Sequence, residues 1–313
     1  MLKGIEQQEQ SEGHHLTSSK TYRVAVASWY EEGDGIADAI VDTLAELGHQ
    51  PVCFHINTPI PKSVDVVFVY APYGPFLHIA RQLAAWPGPN RPRFVFWHTE
   101  GLPDLRIPWS AMQAAGRLRS GQARLLEKYP PLKKMPPFSF LHQKMQRYRH
   151  LGDIQHAYQS GLIDVLADIS QVYTDLFRRN GMTAVYAPFG AYEGWYADMG
   201  LTRDVDVLWM GARATKRRSR LLNRVREGLS RHGVEMLVVD GQENPFVFED
   251  ERTHLLNRTK ITLNLLRTWY DENSLRFCLA MPNRSLVVSE PLLPHVPFYE
   301  ADEHYISAPH ERL

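Results

Sequence analysis

The strongest constraint on this chain is a pattern that occurs twice. Short, almost unbroken apolar runs rich in valine alternate with segments of helical spacing, first from Tyr22 and again from Asp204. In the first series YRVAVAS, PVCFHI, VDVVFVYA, RFVFWH, VLADISQVYT and MTAVYAPFG read as strands, and IADAIVDTLAELGHQ, FLHIARQLAAW and DLFRRNG as helices. In the second, DVDVLWMG, VEMLVVDG, ITLNLL and SLVVSE are the strands, separated by RSRLLNRVREGLSRHG, HLLNRTK and NSLRFCLAM. Strands that are apolar on both sides need cover on both faces, which parallel sheets flanked by helices provide.

A length of 313 residues suits two domains. The expected fold class is therefore α/β: two doubly wound Rossmann-like lobes facing across a cleft. Residues 21–190 form the first lobe, with a basic helical insertion at 105–160; 191–204 link it to a second lobe at 205–313, and the polar residues 1–20 are a disordered lead-in. Open α/β sheets take ligands beyond the carboxyl ends of their strands, so the cleft is the expected site.

Lys plus Arg and Asp plus Glu number 35 each, so global charge names no partner. No run approaches 18 apolar residues and the first twenty lack a signal-peptide core, which points to a cytoplasmic protein. Cys53 and Cys278 lie in apolar runs and read as small buried hydrophobes. No metal site is expected; His14-His15 alone make a poor one.

Local charge is more informative. Arg117, Arg119, Arg124, Lys128, Lys133, Lys134, Lys144, Arg147 and Arg149 stand against one acid, Glu127, with Phe138, Phe140 and Tyr148 interleaved. The segment reads first as a solvated helical hairpin, with a dock for a partner or for the inner membrane surface through 117–150 as the alternative. Nucleic acid is not an expected partner.

Candidate chemistry clusters at strand ends. After DVDVLWM, Gly211 permits a tight turn into a helix start, where Arg213, Lys216, Arg217 and Arg218 could receive a diphosphate. The spacing is neither that of a dinucleotide fingerprint nor that of a P-loop. Asn273 or Ser274 could cap the next candidate helix, with Arg276 in its first turn and Arg267 on the same rim. In the first lobe, His98 and Glu100 end FVFWHTEG and are candidate proton carriers. Trp29, Tyr30 and Gly33 form the matching rim on the acceptor side.

The run from Asp65 to Ala308 resembles the glycosyltransferases related to spore maturation protein B, a branch of the two-lobe GT-B class. The resemblance rests on DVVFVYA, FVFWHTE, QVYTDLFRRNGMTAVYAPFGAYEGWY, DVDVLWMGARATKRR, KITLNLLR, NSLRFCLAMPNRSLVVSE and FYEADEHYISA in that order. It implies transfer of a sugar from a nucleoside diphosphate held by the second lobe to an acceptor held by the first, with no cofactor and no metal. The residues after Gly211 then line the donor phosphates, and Asn273, Ser274 and Arg276 receive the diphosphate. The family's donor-site glutamate and a following glycine are replaced by Leu279 and Arg284. Glu290 could supply a ribose-binding carboxylate instead. The expected activity is metal-independent hexosyl transfer with retention; the alternative is a non-catalytic nucleotide- or partner-binding protein of the same fold.

Overall fold

The computed structural model describes residues 20–30, 35–71, 76–87, 90–129, 131, 146–268, 271, 274–292, 298–309 and 311. Gly33 and Asn273 lie outside the described residues, as does most of the lead-in 1–20.

The first lobe is a six-stranded, all-parallel sheet of β1 (Arg23–Ser28), β2 (Gln50–His55), β3 (Val66–Ala71), β4 (Arg93–His98), β5 (Val165–Asp168) and β6 (Ala184–Tyr186), in the order β2-β1-β3-β4-β5-β6. Its crossovers are α1 (Gly35–Glu46), α2 (Phe76–Ala84), α3 (Trp109–Lys128) with α4 (Gln146–Gln159), and α5 (Gln171–Arg179). The second lobe is a five-stranded parallel sheet of β7 (Val205–Met210), β8 (Met236–Val239), β9 (Thr259–Asn264), β10 (Leu286–Ser289) and β11 (Ile306–Ser307), ordered β11-β10-β9-β7-β8. Its helices are α6 (Lys216–Arg231), α7 (Glu249–Arg258) and α8 (Leu275–Ala280). The expectation of two doubly wound lobes is met.

Both sheets reverse direction after their second strand. The chain lays β2 on one side of β1 and then continues from the other, and repeats this around β7. Each lobe thus has one topological switch point, between β1 and β3 and between β7 and β9, where the loops at the carboxyl ends diverge and leave a crevice.

Two details depart from the sequence reading. The stretch QVYT belongs to α5 rather than to β5, because the Ser170 side chain accepts the Tyr173 N–H and starts the helix there. Cys53 is exposed, since β2 is an edge strand, whereas Cys278 is buried. The insertion is a tight helical pair: α3 and α4 meet where Gly116 and Gly152 bring the two backbones together. Ser120 Oγ donates to Asp153 Oδ1 at 2.5 Å across the same contact.

The segment between the sheets is anchored rather than loose. A 3₁₀ turn at Glu193–Trp195 buries Trp195 in the second lobe's core, where its carbonyl accepts from Asn283 Nδ2 at 2.9 Å. Residues Ile36 and Ala39 of α1 pack into that same cluster, and the Tyr192 hydroxyl bonds Asp42. The lobes therefore share apolar contacts on one side and face each other with their loops on the other.

Candidate functional site

The second lobe's switch point is occupied by one side chain. Arg276 Nε donates to the carbonyl of Met210 at 2.9 Å, and its Nη1 donates to Asn264 Oδ1 at 3.1 Å, so a single guanidinium spans the ends of β7 and β9. Gly211 makes this possible: it has a φ of +127°, and a Cβ there would stand 2.6 Å from Arg276 Nη2.

Two further arginines join it. Arg218, in the first turn of α6, is only 2% exposed; its Nη1 donates to the Ala212 carbonyl at 3.2 Å and its Nη2 lies 3.7 Å from Asp271. The Arg267 backbone N–H donates to Asp271 Oδ2 at 3.0 Å. The Nε atoms of Arg218 and Arg267 are buried and have no hydrogen-bond partner among the described residues.

The electrostatics follow from this crowding. Burial, then the charges of Arg276 and Arg267, push Arg218 down to about 9 against the partial relief of Asp271 and Glu290. Burial pushes Arg276 down to about 10, with Asp271 opposing and Arg267 adding to the shift. A guanidinium does not give up its proton in the working range of a protein. The three arginines therefore stay charged, close together beside Asp271 and Glu100.

The other sequence candidates of this lobe fall outside that trio. Arg213 is committed to Asp240 at 2.6 Å and to Glu243, and the Asp240 hydrogen bond, ahead of Glu243, raises its proton affinity. Glu290 is buried and spent: it pairs with Arg217 and accepts the Leu266 N–H at 2.7 Å, so it is not free to take a ribose. Lys216 is exposed at the start of α6. Ser274 is buried in αR conformation and its side chain caps nothing, and α8 has only six residues. The positive cluster at this rim is thus made of side chains rather than of a helix start.

The positions where the resemblance implies a glutamate and a glycine also have definite places. Leu279 is buried in the second lobe's apolar core with Phe277, Leu256 and Tyr305. Arg284 keeps the glycine's backbone, at φ +58°, closing α8 through Arg284 N–H to Met281 O and Ser285 N–H to Ala280 O.

Across the cleft, the first lobe contributes the loops after β4 and β5. Thr99, Glu100, Gly101, Ile169, Ser170 and Tyr173 face Arg267, Thr268 and Asp271, with Arg147 of α4 at the edge. Arg267 Nη1 donates to Glu100 Oε2 at 3.2 Å, joining the walls. The pocket they line is small and partly open to solvent. Arg147, Asp271, Ser170 and Tyr173 were not singled out as site residues from sequence. Arg147 is legible in the sequence only as one cation among nine, and Asp271 only as the start of the segment that runs to Arg276.

His98 is not a cleft residue. It is fully buried beneath the sheet's edge, its Nδ1 sits 2.6 Å from Asp168 Oδ2, and its ring stacks on His150 at 5.1 Å between centroids. Burial raises the Asp168 carboxyl, while the charge and hydrogen bond of His98 oppose the shift. The other oxygen of Asp168 accepts the Ser170 N–H at 2.7 Å. His98 therefore acts through Asp168 on the loop that lines the cleft.

Trp29 likewise faces inward. Its Nε1 donates to the Tyr70 carbonyl at 2.9 Å, bridging β1 and β3 at the first lobe's switch point, as Arg276 bridges β7 and β9 in the second. Tyr30 is 65% exposed beside it. Among the described residues, no group of three or more His, Cys, Asp or Glu is arranged to hold a metal, and no helix is long and apolar enough to cross a membrane.

No protein-family model matches the chain, and no curated protein matches it. Solved structures similar over most of its length include an α1,3-fucosyltransferase, at 13% identity over 88% of this chain and 70% of that one with a TM-score of 0.35. Another is CalG4, the calicheamicin glycosyltransferase, at 10% identity over 87% and 80% with a TM-score of 0.36. A third is NAD+-bound 3-phosphoglycerate dehydrogenase of Entamoeba histolytica, at 11% identity over 89% and 82% with a TM-score of 0.21. At these scores the likenesses add no weight, and the architecture stands on the strand order and register above.

Proposed function

We propose that this chain is a glycosyltransferase of the two-lobe class, moving a hexose-type sugar from a nucleoside diphosphate to an acceptor seated against the first lobe. The observation that carries this is the trio of Arg218, Arg267 and Arg276 at the switch point of the second sheet, whose carboxylate partners among the described residues are Asp271 and Glu100. A diphosphate leaving group supplies negative charge to pair with them, and its charge grows as the glycosidic bond breaks. Fixed guanidinium groups give that stabilisation without a metal and hold the donor in line with the opposite wall.

Glu100 is the carboxylate on that wall, and once released from Arg267 it can accept a proton from an acceptor hydroxyl. Retention of configuration, the resemblance to the spore maturation protein B relatives and a cytoplasmic location belong to the same reading. A second reading, nucleotide binding without transfer, draws support from Leu279, which puts a core side chain where that resemblance expects a donor-site glutamate.

Calorimetric titration with a panel of nucleoside diphosphates and their sugars, followed by a product assay, tests both. Micromolar binding that is lost in Lys216→Ala/Arg276→Ala supports the donor site, and wild-type affinity in that variant rejects it. Binding without product over a range of acceptors favours the second reading.

A further inference from the structure

The helix α3 has two faces, and the fold uses only one. Met112, Gly116, Ser120, Ala123 and Leu126 are buried. The opposite side is exposed: Arg117, Arg124 and Lys128 form one stripe, and Leu118 and Leu125 a second stripe beside it. At about 100° per residue the three cations share roughly 40° of arc and the two leucines stand some 80–100° round from Arg117. Leu118 is 70% exposed, Leu125 47%, and Tyr129, just past the helix end, 48%. Lys128 Nζ sits 5.6 Å from the centre of the Tyr129 ring. The one acid of α3, Glu127, falls about 60–100° from these cations by helical spacing, on the side away from the leucines.

We propose that this face of α3 docks the protein on an anionic lipid surface, with Arg117, Arg124 and Lys128 at the headgroups and Leu118, Leu125 and Tyr129 at the acyl boundary. The charge pattern selects the partner. Three cations on one stripe are attracted to a negatively charged leaflet, and the two exposed leucines beside them supply the apolar contact that an interface adds. Nucleic acid would draw on the same cations and would leave the leucines idle. The helix is 20 residues long, about 30 Å, and can lie flat along a bilayer while α4 holds its other side.

The experiment is sedimentation of the full chain with vesicles of phosphatidylcholine alone and with about a third phosphatidylserine, at low and high salt. Binding to the anionic vesicles only, weakened by salt, is expected. Arg117→Glu/Arg124→Glu/Lys128→Glu should weaken it roughly 100-fold, from about one headgroup interaction per cation. Leu118→Ser/Leu125→Ser should weaken it about tenfold or more while leaving the charges in place. Circular dichroism melts check that both variants fold. Absence of binding to anionic vesicles at low salt overturns the proposal. So does charge-reversed protein that binds like wild type, and so does a single-stranded oligonucleotide bound as tightly as vesicles with no effect of the serine pair, which would assign the face to nucleic acid. The readout is independent of any nucleotide, so its failure leaves the donor-site reading untouched.

Discussion

Arg267 and Glu100 meet at 3.2 Å across the cleft, one three residues past β9 and the other two past β4, and this pair joins the two carboxyl-edge walls. A donor diphosphate would compete with Glu100 for the same guanidinium. Glu100→Gln should therefore bind pyrophosphate about two- to fivefold more tightly, as a partly exposed ion pair is worth no more than about 1 kcal/mol. If Glu100 also serves the acceptor, turnover falls while donor affinity rises. Calorimetry beside a rate assay separates the two effects, and weaker pyrophosphate binding in Glu100→Gln would show that the carboxylate is no competitor.

Arg218 poses the converse question, because it lies in the interior among like charges. Without an anion its charge opposes folding, so Arg218→Met should leave the melting temperature unchanged or raise it, by up to about 1–2 kcal/mol of stability. The same variant should lose at least tenfold in pyrophosphate affinity. A large drop in melting temperature would instead assign Arg218 to the scaffold through its bond to Ala212.

These two arginines also show what the sequence could convey. The double series of apolar runs gave both sheets, because period and β-branching are local properties that the chain displays directly. The cluster of Arg267 and Arg276 with Arg218 was partly legible, since strand ends and Gly211 marked the rim. The partners were not. Arg213 and Glu290 looked as available as Arg276, yet Asp240, Glu243 and Arg217, brought close only by the fold, claim them. His98 misled for a related reason. A polar residue ending a strand looks exposed until α4 supplies His150 to cover it. Cys53 misled through sheet order, which the sequence does not state and which made β2 an edge.

The pair Gly116 and Gly152 sets how closely α3 and α4 approach. A Cβ on Gly152 would overlap the Gly116 carbonyl, a backbone atom that cannot swing aside. Gly152→Ala should cost about 2–4 kcal/mol, as overpacking at a fixed contact does. Gly121, on the exposed side of the same helix, has nothing within 4 Å of its added Cβ. Gly121→Ala should stabilise by up to about 1 kcal/mol through helix propensity. Urea midpoints of the two variants test this directly, and equal effects would mean that the interhelical contact is looser than described.

His150 predicts how the first lobe responds to acid. Burial, followed by the charges of His98 and Arg149, holds its imidazole well below 6.5, so it is neutral in the fold while the unfolded chain takes up a proton near 6.5. Below that pH the unfolded state binds more protons, and stability falls as pH falls. Between pH 6.5 and 5.5 the loss from this one group should be about 1 kcal/mol. Asp168 has the opposite sign, since its carboxyl is raised and folding favours its protonated form, but it is set against His98 in the same interior and acts from a lower starting value. His150→Gln removes the acid-sensitive ring and should flatten the urea midpoint across this interval. An identical shift in wild type and variant would place the acid sensitivity elsewhere.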